Sequence, residues 1–138
     1  KNIAAIATGV CDGLGYGDNA RASLITLGLM EMSTYGKFLG AKRATFYGLA
    51  GVGDLVATCT SKQSRNRFVG EKIAEGKKMA YIKKEMKGMI AEGIQTTNAV
   101  YEFSKKNNLY MPLTKQVYEV LYKNKDLKEA ISDLLKIE

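Results

Sequence analysis

Apolar side chains recur at three- and four-residue steps along almost the whole chain, and no segment alternates apolar and polar residues convincingly enough to make a strand. That spacing places the apolar positions on one face of a helix. Ile3, Ile6, Ala7 and Val10 mark a first helix ending near Gly13. Gly13, Gly15 and Gly17 then make a loop, and Asp18 is placed to cap a long helix through Leu24, Leu27, Met30, Glu31, Tyr35 and Phe38, stopped at Gly40. Because that long helix is apolar on most of its circumference, it is predicted to be the central buried one. A short helix begins at Thr45, and Gly48, Gly51 and Gly53 break the pattern before Asp54 to Thr58 resume it. Ser64 is predicted to cap a helix that ends at Gly76. Further helices are expected over about 79–87 and 91–106, from beyond Pro112 to Tyr122, and from a cap at Asp126 through Leu135. The fold class is therefore all-α: several helices of unequal length, and not an obvious four-helix bundle.

The 138 residues, 46% of them hydrophobic, suit one core and one domain spanning 1–138. No run approaches the ~20 apolar residues of a membrane span. The Ala/Ile run up to Val10 has the look of a short signal core, yet it leads straight into Asp12 and the glycine loop without a clear cleavage site. Cys11 and Cys59 form no CxxC and are too few for a disulfide framework, so buried thiols in a reducing cytoplasm are expected. The chain reads as soluble and cytoplasmic.

Histidine is absent. That excludes a Ser-His-Asp triad, a Cys-His pair and any His-ligated zinc site. Proton transfer must then fall to Lys, Asp, Glu, Tyr or Cys. The charge is uneven: residues 1–60 carry five basic and four acidic side chains, residues 61–138 sixteen and ten. A basic half can serve nucleic acid or phosphorylated ligands. Here Lys77, Lys78, Lys83, Lys84, Lys87, Lys105 and Lys106 are interleaved with Glu75, Glu85 and Glu102, with no aromatic ladder and no nucleic-acid motif. A solvated lysine face is the simpler reading.

Three places invite a phosphate. The glycines of 13–17 and of 48–53 lack the G-x-G-x-x-G spacing and follow no strand, so they carry no dinucleotide fingerprint. The third is Ser64-Arg65-Asn66-Arg67, opening a helix, where unpaired backbone N–H groups and a guanidinium fork suit a small phosphorylated ligand. A capped, solvated helix start accounts for the same residues. Asp54 stands beside the apolar run Leu55-Val56-Ala57, in a segment expected to be buried, and a buried carboxylate needs a cationic partner. Lys1 is the one basic residue at the head of the otherwise apolar first helix, and a Lys–Asp pair is a plausible proton-transfer couple in a chain without histidine. Spacing alone does not bring the two together.

The strings KNIAAIATGVCDGLGYGDNARASLITLGLMEM, ATFYGLAGVGDLVATCTSKQSRNRFVG, AEGIQTTNAVYE and MPLTKQVYEVLY closely resemble the C-terminal domain of bacterial NAD(P)-dependent glycerol-3-phosphate dehydrogenases. The match runs from Lys1 to about Tyr122, and GLAGVGDLVATCTS followed by SRNR is its most specific part. The resemblance implies an all-helical substrate domain, related in fold to the helical domain of 6-phosphogluconate dehydrogenase, that follows a Rossmann domain absent from this chain. It implies interconversion of glycerol 3-phosphate and dihydroxyacetone phosphate with NAD or NADP, a supply of glycerol 3-phosphate for phospholipid synthesis. A homodimer is left open. Lys1 matches the family's catalytic lysine, and Asp54 the carboxylate that orients it and contacts substrate. Ser64, Arg65 and Asn66 match the substrate-phosphate segment, with Arg65 also approaching the cofactor. Thr58 is similar to a threonine near substrate, and Ile90 and Glu92 fall where the family contacts the nucleotide. Without the nucleotide half, the chain alone is expected to be a folded, inactive fragment. A basic nucleic-acid-binding module and a helical dimerisation domain are the rival readings, and neither needs GDL and SRN together.

Overall fold

Helix α1, Asn2–Gly13, is the axis of the fold, with nine of its twelve residues buried. The computed structural model describes residues 1–137, and within them the chain is helical without a strand. After α1 come α2 (Asp18–Phe38), a 3-10 turn (Arg43–Tyr47), a π turn (Leu49–Gly53), α3 (Asp54–Thr60), α4 (Arg65–Ala74), α5 (Met79–Glu85), α6 (Glu92–Lys106), α7 (Pro112–Lys123) and α8 (Leu127–Leu135). The all-α expectation agrees with this order.

The place of the central helix does not agree. The long α2 was expected there, but it leaves Met30 and Phe38 about half exposed and buries only part of one face. Side-chain polarity and size together explain the exchange. Helix α1 is built of Ala4, Ala5, Ala7, Thr8 and Gly9 among Ile and Val, so α2, α3, α4, α6 and α7 can all pack on it. Its closest neighbour is α4. A Cβ on Gly9 would overlap the Arg67 carbonyl, and one on Gly70 would overlap the Ile6 carbonyl, so the two backbones touch directly.

Near the end of α1, the buried Asp12 carboxylate holds two guanidiniums. Oδ1 accepts from Arg21 Nε and Nη2 at 2.9 and 2.7 Å, and Oδ2 accepts from Arg67 Nε and Nη2 at 3.0 and 2.7 Å. This fastens α2 and α4 to α1. Further out, the carboxylate of Glu31 on α2 caps α7 from outside that helix. It accepts from Leu113 N at 2.5 Å, Thr114 N at 3.1 Å and the Thr114 hydroxyl at 2.6 Å. Burial pushes the Glu31 carboxyl up to about 7 against the pull of those donors.

Caps at Ser64 and Asp126 form as expected, accepting from Arg67 N and Glu129 N. Asp18 does not cap α2. Gly17 holds the cap position, and the Asp18 carboxylate pairs with Arg21 at 3.0 Å instead. Gly48 breaks the helical path as expected, extended between the two turns, whereas Gly51 and Gly53 continue it. The latter two lie in the π turn, with Gly51 pressed on the Phe46 carbonyl. The lysines at 77, 78, 83, 84, 87, 105 and 106 are all exposed, as a solvated face requires. Among the described residues no helix is long and apolar enough to cross a membrane.

Candidate active site

The starts of α1, α4 and α6, one side of α3 and the turn from Ser61 to Ser64 enclose an open cleft of about 430 Å³. Lys1 stands at its α1 edge. The Lys1 ammonium meets the Asp54 carboxylate, with Nζ at 2.8 Å from Oδ1 and 2.6 Å from Oδ2. The two residues that spacing could not connect are therefore paired. Asp54 is not buried, however: its side chain is 44% exposed and that of Lys1 38%. Helix α3 is two-faced, and Leu55 and Cys59 fill the core while Asp54 starts the helix and turns to Lys1 at the cleft edge. An ion pair this wet adds little to stability, and its consequence is placement.

What sets α3 against α1 lies deeper. The Thr8 hydroxyl is shared between the carbonyls of Ala5, at 3.0 Å, and Cys59, at 3.2 Å. Cys11 and Cys59 are both buried free thiols. Desolvation pushes each up to about 11, so neither is a thiolate nucleophile near neutral pH.

The Ser64-Arg65-Asn66 segment forms the opposite wall. The Ser64 hydroxyl oxygen accepts from Arg67 N at 3.2 Å, which spends one of the free N–H groups of α4 and leaves those of its first residues facing the cleft end. Arg65 is exposed on the wall. Asn66 is buried, and its Oδ1 accepts from Gly93 N at 2.8 Å. With that oxygen committed, Nδ2 is the end of the amide left for the cleft, a donor suited to an anion. A Cβ on Gly93 would crowd Asn66 Oδ1 and the Asn2 carbonyl, so α6 approaches this closely only with glycine there.

Thr58 lines the cleft, its hydroxyl donating to the Asp54 carbonyl at 2.7 Å. Glu92 lines it too, in the first turn of α6. Ile90 does not: it lies in the segment before α6, largely exposed. Asn2, Ser61 and Gln63 complete the wall and escaped sequence reasoning. Asn2 has only its place beside Lys1 to signal it, and nothing in the pattern around Gln63 marks it out. The second arginine of SRNR, Arg67, turns away from the cleft onto Asp12 and Glu71.

Arranged this way, the cleft offers an oriented ammonium on one side and a cluster of anion-binding donors on the other. It suits a small molecule with a polarised oxygen at one end and a phosphate at the other.

Comparison with known proteins identifies the family. The family model for the C-terminus of NAD-dependent glycerol-3-phosphate dehydrogenase matches residues 1–132. A glycerol-3-phosphate dehydrogenase [NAD(P)+] from Solidesulfovibrio magneticus is 54% identical over 135 residues, covering 98% of this chain and 41% of that protein. Its counterpart from Geobacillus thermodenitrificans is 52% identical, covering 98% and 39%. The solved glycerol-3-phosphate dehydrogenase of Coxiella burnetii superposes with a TM-score of 0.94 at 45% identity, over 99% of this chain and 42% of that one. The enzyme of Saccharomyces cerevisiae superposes with a TM-score of 0.88 at 31% identity. The chain thus spans about two fifths of the length of the relatives it matches. Neither the nucleic-acid nor the dimerisation reading finds support in these likenesses. With its fold, its GDL and SRN segments and 132 matched residues in agreement, the chain belongs to the family of NAD-dependent glycerol-3-phosphate dehydrogenase C-terminal domains.

Proposed function

We propose that this chain is the substrate-binding and proton-transferring part of a dehydrogenase that interconverts dihydroxyacetone phosphate and glycerol 3-phosphate, the product feeding phospholipid synthesis. The observation that carries the reading is the cleft itself: Lys1, held by Asp54 at 2.6 Å, shares it with Ser64, Arg65 and Asn66.

When hydride reaches a ketone carbon, negative charge grows on the carbonyl oxygen. The Lys1 ammonium neutralises it first by hydrogen bonding and then by giving up a proton, so that ketone, hydride and proton become the secondary alcohol. Asp54 engages both of its oxygens with Nζ, which fixes the direction of the ammonium and leaves it a donor for substrate. The left-behind neutral amine recovers its proton from solvent through the open cleft. In the reverse direction the amine takes the hydroxyl proton. Arg65, Asn66 Nδ2 and the first N–H groups of α4 grip the phosphate, which holds the carbonyl end at Lys1 and converts a chance encounter into a fixed geometry.

Reduced NAD or NADP supplies the hydride. The described residues include no parallel sheet with a glycine-rich turn to grip a dinucleotide. Its mount is therefore assigned to a Rossmann domain elsewhere in the full-length protein, with Arg65, Ile90 and Glu92 on the side facing it.

The test is oxidation of NADH or NADPH with dihydroxyacetone phosphate. Turnover is expected from the full-length protein and none from residues 1–138 alone. Failure of the full-length protein, or clear turnover by the isolated chain, contradicts the reading.

A further inference from the structure

We propose that Asp12, which touches neither cleft nor substrate, is a positioning residue for the substrate phosphate, acting through Arg67 on the Ser64–Asn66 segment. The inference rests on the dehydrogenase reading and assigns a role to a carboxylate that holds two guanidiniums, one of them next to the Ser64–Asn66 segment, and that the chemistry does not use.

Arg67 follows directly after Asn66, and it is fixed from four directions. Its guanidinium is held by Asp12 Oδ2 at 2.7 and 3.0 Å and by Glu71 at 2.8 Å. Its backbone N–H donates to Ser64 Oγ, and its carbonyl lies against Gly9 with no room for a Cβ. Asn66 is anchored from the other side by Gly93 N. The three residues proposed to hold the phosphate therefore hang between two mounts, and Asp12 is the mount on α1. Its side chain and that of Arg67 are 9% and 10% exposed, so water does not screen the pair.

The second oxygen of Asp12 matters as well. Arg21 occupies it, so the carboxylate separates two guanidiniums that would otherwise face each other. Neutralising Asp12 leaves Arg67 bonded chiefly to Glu71 on its own helix, and nothing charged then ties the start of α4 to α1. The alternating directions of Arg65 and Arg67 make the consequence specific: a turn of α4 that frees Arg67 swings Arg65 and Asn66 off the phosphate.

Lys1 should not feel this. It begins α1 while Asp12 lies eleven residues on, about 16 Å along the helix. The Lys1–Asp54 pair is kept in register by the Thr8 to Cys59 bond, which Asp12 does not touch. Loss of Asp12 should thus weaken phosphate recognition and spare proton transfer.

The experiment compares kcat/KM for dihydroxyacetone phosphate and for unphosphorylated dihydroxyacetone in the full-length protein. Asp12→Asn is expected to lower the first by roughly 10- to 100-fold and leave the second unchanged. Arg67→Lys, which keeps the charge and loses the fork, should show the same selective loss and stands in for Asp12→Asn if that variant does not fold. Arg21→Gln should leave the ratio between substrates near that of the unmodified protein. Arg65→Ala is the reference for phosphate recognition itself. If Arg65→Ala is selective while Asp12→Asn and Arg67→Lys lower both substrates equally or neither, Asp12 is not a positioning residue and the phosphate assignment stands. If Arg65→Ala is not selective either, the phosphate assignment fails and the proposal with it.

Discussion

Lys1 and Asp54 lie 53 positions apart in the chain, and the ammonium of the first rests between both oxygens of the second at 2.6 and 2.8 Å. Asp54 has no other part to play in the core, since the apolar face of α3 belongs to Leu55 and Cys59. Replacing it as Asp54→Asn keeps the shape and removes the charge that directs the ammonium. The expected outcome is a kcat lower by roughly 100-fold with a smaller change in KM. Steady-state kinetics of the full-length protein checks this, and a kcat close to normal contradicts the orienting role.

Asn66 divides its amide between two tasks, with Oδ1 on Gly93 N and Nδ2 left for the cleft. Asn66→Asp preserves the first and reverses the second, because a carboxylate oxygen replaces the donor. KM for the phosphorylated substrate should rise by roughly 100-fold, from repulsion added to a lost hydrogen bond. An unchanged KM would remove Asn66 from the phosphate site.

Glu31 gives the fold a pH dependence of defined sign. Its carboxyl is raised by burial from 4.5 to about 7, so between those values the folded chain keeps a proton that the unfolded chain has released. The contribution is therefore complete below about pH 4.5 and is lost as the pH rises through 7, on the order of 3 kcal/mol across that window. Urea unfolding at a series of pH values reads it directly. Glu31→Gln, uncharged throughout, should flatten the fall between pH 5 and 7 by about that amount. An identical slope in both proteins contradicts it.

Periodicity and punctuation made most of this fold legible. Caps at Ser64 and Asp126 and a helix start at Pro112 follow from local chemistry that operates in any helix. The expectation of a central α2 overlooks Asn19, Arg21, Ser23, Thr26, Thr34 and Lys37 around that helix: α1 is the more apolar of the two, and its Ala4, Ala5 and Gly9 let neighbours close in. At the site, the residue types of Lys1, Asp54, Ser64, Arg65 and Asn66 were recognisable, whereas their convergence depends on contacts made across 53 residues in the Lys1–Asp54 case. The division of labour within SRNR was only partly readable. Two positions apart on one helix, Arg65 and Arg67 must face different ways, but which of them turns inward depends on Asp12 one helix away and on Glu71. Glu31 escaped for the same reason, since its donors on α7 lie 82 and 83 positions further along.

The direct question is whether the Lys1 ammonium is the proton donor. Lys1→Ala in the full-length protein, assayed with saturating dihydroxyacetone phosphate and reduced cofactor, removes the group while leaving the phosphate wall of Ser64, Arg65 and Asn66 in place. If Lys1 does the chemistry, kcat should fall by at least roughly 1000-fold while the phosphorylated substrate still binds. A Lys1→Ala protein that turns over at close to the normal rate would contradict the assignment of this cleft as the catalytic one.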